Sequence, residues 1–256
     1  MPVTAVLRSG QHDYRSAYAP IEHRDLETRY AVSRAEATIL ALAVKIPDDL
    51  KVGYVMGVGD DVPEGISQLG ADVELLSSEM LARGRLDDYD AIVIGTRAYA
   101  VRDDLRTHNA RLVDYTERGG NLIVLYNTPE FQPNQFAPYP GELPQNSEEI
   151  SEEDAPVRIL DPGQRALQWP NVITVDDFDG WVEQRGSKFY SSWDDAYVPI
   201  IESNDVGQAP QRGGWLQASY GEGTYTYFAY ALHRQLPYGI PGAYRILANL
   251  LALGSR

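Results

Sequence analysis

From Lys51 onward the chain alternates short apolar runs with longer stretches in which apolar residues recur at helical spacing. Residues 52–56 are apolar and followed by Gly57, as suits a strand buried on both faces. Pro63 stands where a first helical residue is favoured, and Glu64 lies near the positive helix end. That helix should reach Leu69 and stop at Gly70, with a second strand over 71–76 and a third over 90–94. Leu105, Leu112, Val113 and Tyr115 mark a helix over 102–118 that Gly119-Gly120 ends, and 121–126 reads as a fourth strand. Strand–helix alternation at this spacing predicts a three-layer, doubly wound, mostly parallel α/β sheet.

The second half has a different rhythm. Residues 128–170 are rich in proline and polar groups and carry the acidic run Glu148, Glu149, Glu152, Glu153 and Asp154. An irregular excursion of that length is expected to be a functional loop or a cover over a site. Strands are predicted over 172–175, 198–201, 215–220 and 225–231, several of them antiparallel, with Gly221-Glu222-Gly223 as a hairpin turn. An amphipathic helix over 244–253 follows Pro241-Gly242. Residues 1–45 differ from all of this: a polar stretch from Arg8 to Arg34 precedes an apolar run over 39–44 that suits a strand or a short helix. The segment is too short to hold its own core. It either packs on the following domain or, as we expect, belongs to a neighbouring module, leaving 46–256 as the α/β domain.

Composition narrows the function classes. A 256-residue chain that is 43% hydrophobic and 10% aromatic can bury a substantial core. No apolar run approaches the roughly 18–20 residues needed to cross a bilayer, so no membrane partner is expected. Residues 1–10 lack the apolar core of a signal peptide, which leaves the compartment open, export of a parent protein included. A net charge of −15 argues against nucleic acid, whose binders release counterions from a basic face. The absence of cysteine removes disulfides, thiolate metal sites and cysteine nucleophiles together.

In open α/β sheets ligands bind beyond the carboxyl ends of the parallel strands. Those ends supply Gly57 to Asp61, Thr96 to Tyr99, Asn127-Thr128 and, after the last strand, His233-Arg234-Gln235. Gly57-x-Gly59 invites a dinucleotide reading, but Val62 replaces the third glycine, and Asp60 and Asp61 would repel a pyrophosphate. Asp60-Asp61 and Asp177 with Asp179 are hard-oxygen clusters that suit Ca²⁺ or Mg²⁺, set against caps and solvated turns; no cofactor is required. His233 is the histidine best placed as a general base, set against a structural ring satisfied by neighbours. The aromatic and polar block containing Trp181, Glu183 and Arg185 has the composition that sugar recognition uses, set against a packed loop. No Gly-x-Ser-x-Gly elbow occurs, and Arg97 stands where a nucleophile would be expected.

Five segments together carry a resemblance. They are residues 51–63, Gly95-Thr96-Arg97-Ala98-Tyr99, Leu125-Tyr126-Asn127-Thr128, residues 177–186 around Trp181, and residues 233–245 beginning His233-Arg234-Gln235-Leu236-Pro237. They resemble the carboxy-terminal region of large bacterial PIG-L (LmbE-like) deacetylases. The resemblance implies a class I glutamine-amidotransferase-like domain, flavodoxin-like in topology, with residues 17–45 as the tail of a preceding β-sandwich. It does not imply that family's chemistry: the zinc motif Ala-His-Pro-Asp-Asp-Glu is missing, and so is the amidotransferase cysteine. Two functions follow as expectations. One is a non-catalytic accessory domain, carbohydrate-related, taking a small polar ligand or glycan beside a deacetylase domain of the same parent chain. The other is a hydrolase of esters, lactones or glycosides using His233 with nearby carboxylates. Either would draw ligand contacts from Asp60, Arg97, Tyr99, Asn127, Trp181, Glu183, Arg185 and Arg234.

Overall fold

A computed structural model describes residues 1–254 and divides the chain into two compact units, Met1–Ala43 and the remainder from Val44. The first unit consists of antiparallel pairs: Pro2–Thr4 with Glu36–Thr38, Leu7–Ser9 with His12–Tyr14, and Ser16–His23 with Leu26–Arg34. None of its residues is buried. Its five arginines balance its five acids, so the net charge of −15 is carried by the second unit. The apolar run over 39–44 forms neither strand nor helix. Its last ladder bond is the Ile39 amide donating to the Met1 carbonyl (2.8 Å). Beyond it no strand lies alongside, and the Lys45 amide donates instead to the Asn171 side chain (2.8 Å).

The second unit is built on a seven-stranded sheet. Its elements are β1 (Lys51–Val55), α1 (Val62–Gln68), β2 (Asp72–Leu75), α2 (Ser78–Arg83), β3 (Ala91–Ile94), α3 (Ala98–Val101), α4 (Asp103–Glu117), β4 (Asn121–Leu125), β5 (Val198–Pro199), β6 (Trp215–Tyr220), β7 (Gly223–Phe228), α5 (Leu232–Gln235) and α6 (Pro241–Leu251). The spatial order is β5-β6-β7-β4-β3-β1-β2. β2, β1, β3, β4 and β7 run parallel, whereas β6 is added antiparallel to β7 at one edge and β5 antiparallel to β6. The connection from β1 to β2 runs one way across the sheet and that from β3 to β4 the other. Right-handed crossovers therefore send α1 and α4 to opposite faces. α6 packs with α1 and α2 packs with α4, which completes a helical layer on each side.

Burial explains why the parallel strands were easily read. All four residues of β3 are fully buried, as are Val52, Tyr54 and Val55 of β1. Each buried valine or isoleucine among them contributes about 1.5–3 kcal/mol relative to exposure. Strands covered on both faces have no reason to alternate, hence their continuous apolar runs.

The excursion after β4 is not structureless. Gly141–Glu142 pairs with Ser192–Trp193, Glu149–Ile150 with Gly186–Ser187, and Val157–Ile159 with Ile201–Ser203. The strand expected over 172–175 is absent. Thr174 and Asp177 instead form a reciprocal capping box that starts the short helix Val175–Phe178, and Val172 and Val175 remain exposed. Polar keys lock this region to α6. Asn249 accepts from the Asn171 amide and donates to the Ala166 and Asn171 carbonyls, fully buried itself. Asn121 donates to the Leu250 and Leu251 carbonyls at the end of the same helix. At the other end of α6, a Cβ on Gly242 would overlap the Asp177 backbone carbonyl.

Ala normally favours a helix over Gly by about 1 kcal/mol. Here overlap with an immobile carbonyl reverses the sign, and Gly242→Ala should destabilise the domain by about 1–3 kcal/mol in urea unfolding.

Candidate functional site

β1 turns back to β2 on one side while β3 lies on the other, so the crevice beyond their carboxyl ends is where such sheets bind ligands. In this chain the crevice is filled from within. The Val58 amide donates to the Thr96 carbonyl (3.1 Å), and a Cβ on Gly57 would overlap that same oxygen. Only glycine lets the two loops approach so closely. Asp60 closes the rest. One carboxylate oxygen accepts from the Tyr54 hydroxyl (2.7 Å) and the Val62 amide (3.1 Å), and the other accepts from the Thr96 amide (3.0 Å). A protein carboxylate thus takes the donors that would otherwise face an anion.

The next strand end is stitched in the same manner. Arg97 sits at φ 54° in the turn between β3 and α3, the left-handed conformation of an elbow residue. Its amide donates to the Tyr126 carbonyl (2.9 Å), and its side chain is exposed. Tyr99 and Asn127, expected to face a ligand, are fully buried. The Tyr99 hydroxyl donates to Asn109, and its amide donates to Asn127 Oδ1 (3.1 Å). Asn127 Nδ2 donates to the Gly95 and Leu125 carbonyls. Burial raises the Tyr99 phenol well above its ordinary range, so it stays protonated.

In the block expected to offer a sugar platform, Trp181 and Arg185 are likewise interior. Trp181 is 2% exposed, packs on Phe178 (centroids 5.4 Å apart) and donates its indole N–H to the Asp177 carbonyl (3.0 Å). Arg185, 4% exposed, donates to the Ala155 and Phe178 carbonyls, and desolvation lowers its pKa. Gln235, fully buried, exchanges hydrogen bonds with both backbone groups of Val182 and so pins this loop to α5. Glu183 ion-pairs with Arg234 at the surface. Sequence spacing could not separate these roles, because packing and recognition use the same residue types.

Two of the carboxylates that suit a hard cation by type are engaged within the protein. The Asp177 carboxylate accepts the Thr174 amide (2.8 Å) and pairs with Arg245, while Asp60 is fully engaged as described. Asp61 and Asp179 are exposed. Among the described residues no three His, Asp or Glu side chains gather as a metal-binding group.

His233 lies in α5, which follows β7, and is half-buried. Its ring stacks on Tyr126 (centroids 5.9 Å apart, planes 29°), the residue whose carbonyl holds the Arg97 turn. Among the described residues no hydrogen bond engages its nitrogens. Desolvation lowers its pKa below the ordinary 6.5, while the Asp60 charge acts in the opposite sense. The structure therefore brings Asp60, Arg97 and His233 to one edge, with Tyr126 between the last two. Tyr126 itself was visible in the sequence as the aromatic at a strand end.

No protein-family model matches the sequence, and neither does any curated protein. Among solved structures, the chain is similar to a β-galactosidase from Rahnella sp. R3, with 13% identity and a TM-score of 0.50 over 80% of this chain and 32% of that one. It is also similar to a cytoplasmic protein of Salmonella typhimurium, with 11% identity and a TM-score of 0.50 over 98% of this chain and 94% of that one. These likenesses bear on the fold, and this chain spans about a third of the β-galactosidase's length.

Two outcomes follow. Asp60→Ala leaves the Tyr54 hydroxyl and the Thr96 amide without acceptors and should cost about 2–3 kcal/mol, with Asp60→Asn milder, both read by chemical denaturation. For His233 the depressed folded pKa means that the unfolded chain binds more protons just below pH 6.5. Stability should consequently fall as pH drops from about 6.5 through the folded pKa. His233→Asn should flatten that part of the profile, and identical slopes for the two proteins would contradict the assignment.

Proposed function

We propose that this chain is a non-catalytic accessory domain that binds a polar, carbohydrate-like ligand, in a parent protein that also carries a PIG-L type deacetylase. One observation carries the non-catalytic half. Side chains at the strand ends that could have done chemistry hold the fold instead: the Asp60 carboxylate accepts three internal donors, and Tyr99 and Asn127 are interior. Arg97 occupies the elbow, and the chain has no cysteine to serve there. The parallel strand order β2-β1-β3-β4-β7 is the flavodoxin-like order, which supports the class I glutamine-amidotransferase-like reading of the fold. The carbohydrate half draws support from the sequence resemblance and from the β-galactosidase, a carbohydrate-active protein of which this chain matches about a third. Fold likeness does not transfer an activity.

A hydrolase reading competes on one specific feature. His233 stays neutral at neutral pH because burial lowers its pKa, and with no hydrogen-bond partner among the described residues its ring is available to accept a proton.

Purified protein should turn over no ester, lactone or glycoside above the buffer rate, with or without Ca²⁺, Mg²⁺ or Zn²⁺. Turnover that disappears in His233→Ala would establish the hydrolase instead.

A further inference from the structure

Three of the four tryptophans have structural partners. Trp181 stacks on Phe178, Trp215 packs edge-on against Phe228, and Trp169 lies under the Arg165 guanidinium. Trp193 differs. It lies on the short strand Ser192–Trp193, paired with Gly141–Glu142, and is half-buried. Its indole has no ring, cation or hydrogen-bond partner among the described residues. It lines an open groove of ≈ 270 Å³ together with Asn134, Glu142, Ser192 and Asp194.

The polar groups around this ring retain free bonding capacity. Asn134 Oδ1 accepts the Gly141 amide (3.1 Å), which fixes the side chain and leaves Nδ2 without a described acceptor. Asp194 Oδ1 accepts the Ala196 amide (2.9 Å), leaving Oδ2 free. Glu142 Oε2 accepts from the Ser192 hydroxyl (3.3 Å) and at longer range from Ser191 (3.5 Å), leaving Oε1 free. One oxygen of each carboxylate thus has an internal partner, and the other is open to a ligand. Backbone bonds also tie these segments, since the Asp194 amide donates to the Pro140 carbonyl (3.1 Å) and the Ser191 amide to that of Glu142 (2.9 Å).

We propose that this groove is a sugar-binding subsite, with Trp193 as the stacking platform and Asn134, Glu142 and Asp194 as the hydroxyl-binding groups. A pyranose presents a C–H face that an indole covers and vicinal hydroxyls that donate to carboxylates and accept from an amide. The groove lies just below the about 300–1,000 Å³ of pockets for drug-sized ligands, which suits one sugar ring at a chain end. Two carboxylates exclude uronic and sialic acids and leave neutral and amino sugars as the ligand class. The proposal rests on the carbohydrate-binding reading above and locates it away from the C-terminal edge of the parallel strands.

The test is a glycan array followed by calorimetry on the best hit, with the whole chain. The expected result is binding of neutral or amino glycans, no binding of glycans ending in acidic sugars, and loss of about tenfold or more in affinity in Trp193→Ala. Trp193→Phe should retain most of the affinity, and Glu142→Ala, an exposed position, should weaken binding without a change in the unfolding midpoint. If Trp193→Ala and Glu142→Ala both bind as the unmutated protein does, the groove is not the site, although the accessory reading stands. Preferential capture of acidic glycans would overturn the ligand class. An array on which the unmutated protein binds nothing overturns both the subsite and the carbohydrate reading.

Discussion

The carboxylate of Asp60 accepts hydrogen bonds from the Tyr54 hydroxyl, the Val62 amide and the Thr96 amide, and the upper edge of the sheet is organised around it. Tyr54 belongs to β1, Val62 begins α1 and Thr96 follows β3, so one side chain ties three elements at the point where the connections diverge. Burial raises the Tyr54 phenol well above its ordinary range and the nearby Asp60 charge adds to the shift, which keeps the hydroxyl a donor. Gly57 completes the closure because no other residue fits against the Thr96 carbonyl. A fold whose usual ligand position is filled by its own acid is a poor place to bind another anion.

A second constraint comes from aromatic packing. Tyr99, Phe131, Tyr190 and Tyr227 form a continuous set of ring contacts with centroids 4.5–6.5 Å apart. Phe131 and Tyr190 come from the irregular middle of the chain, and Tyr99 and Tyr227 from the elements around the sheet. The excursion is therefore a layer with its own buried side chains, in which polar atoms such as Asp205 hold backbone amides. Desolvation would raise the Asp205 pKa, but its carboxylate accepts the Ser151 hydroxyl and the Ser151 and Glu152 amides, and together these bonds lower it.

Legibility in the sequence tracked burial symmetry. β1, β3 and β4 were readable because both faces are covered and their apolar runs are uninterrupted. The hairpin of β6 and β7 was readable from Gly221-Glu222-Gly223, with Tyr220 opposite Gly223. The segment at 172–175 was misread because valines suggested a strand while the Thr174–Asp177 capping box, a local hydrogen-bonded device, started a helix. For the site, His233 and Asp60 were legible by type and position. Trp181, Arg185, Tyr99 and Asn127 were legible as unusual residues but not as interior ones.

What the sequence determined by itself is the order of the parallel strands and of the main helices between them, since hydrophobic period and chain punctuation are local properties. It also excluded cysteine chemistry, because a missing residue type is missing in any fold. The tertiary structure decided which polar residues have bonding capacity left. Whether a tryptophan stacks on Phe178 or lies open beside Asp194 depends on neighbours distant in the chain, and no spacing rule encodes that.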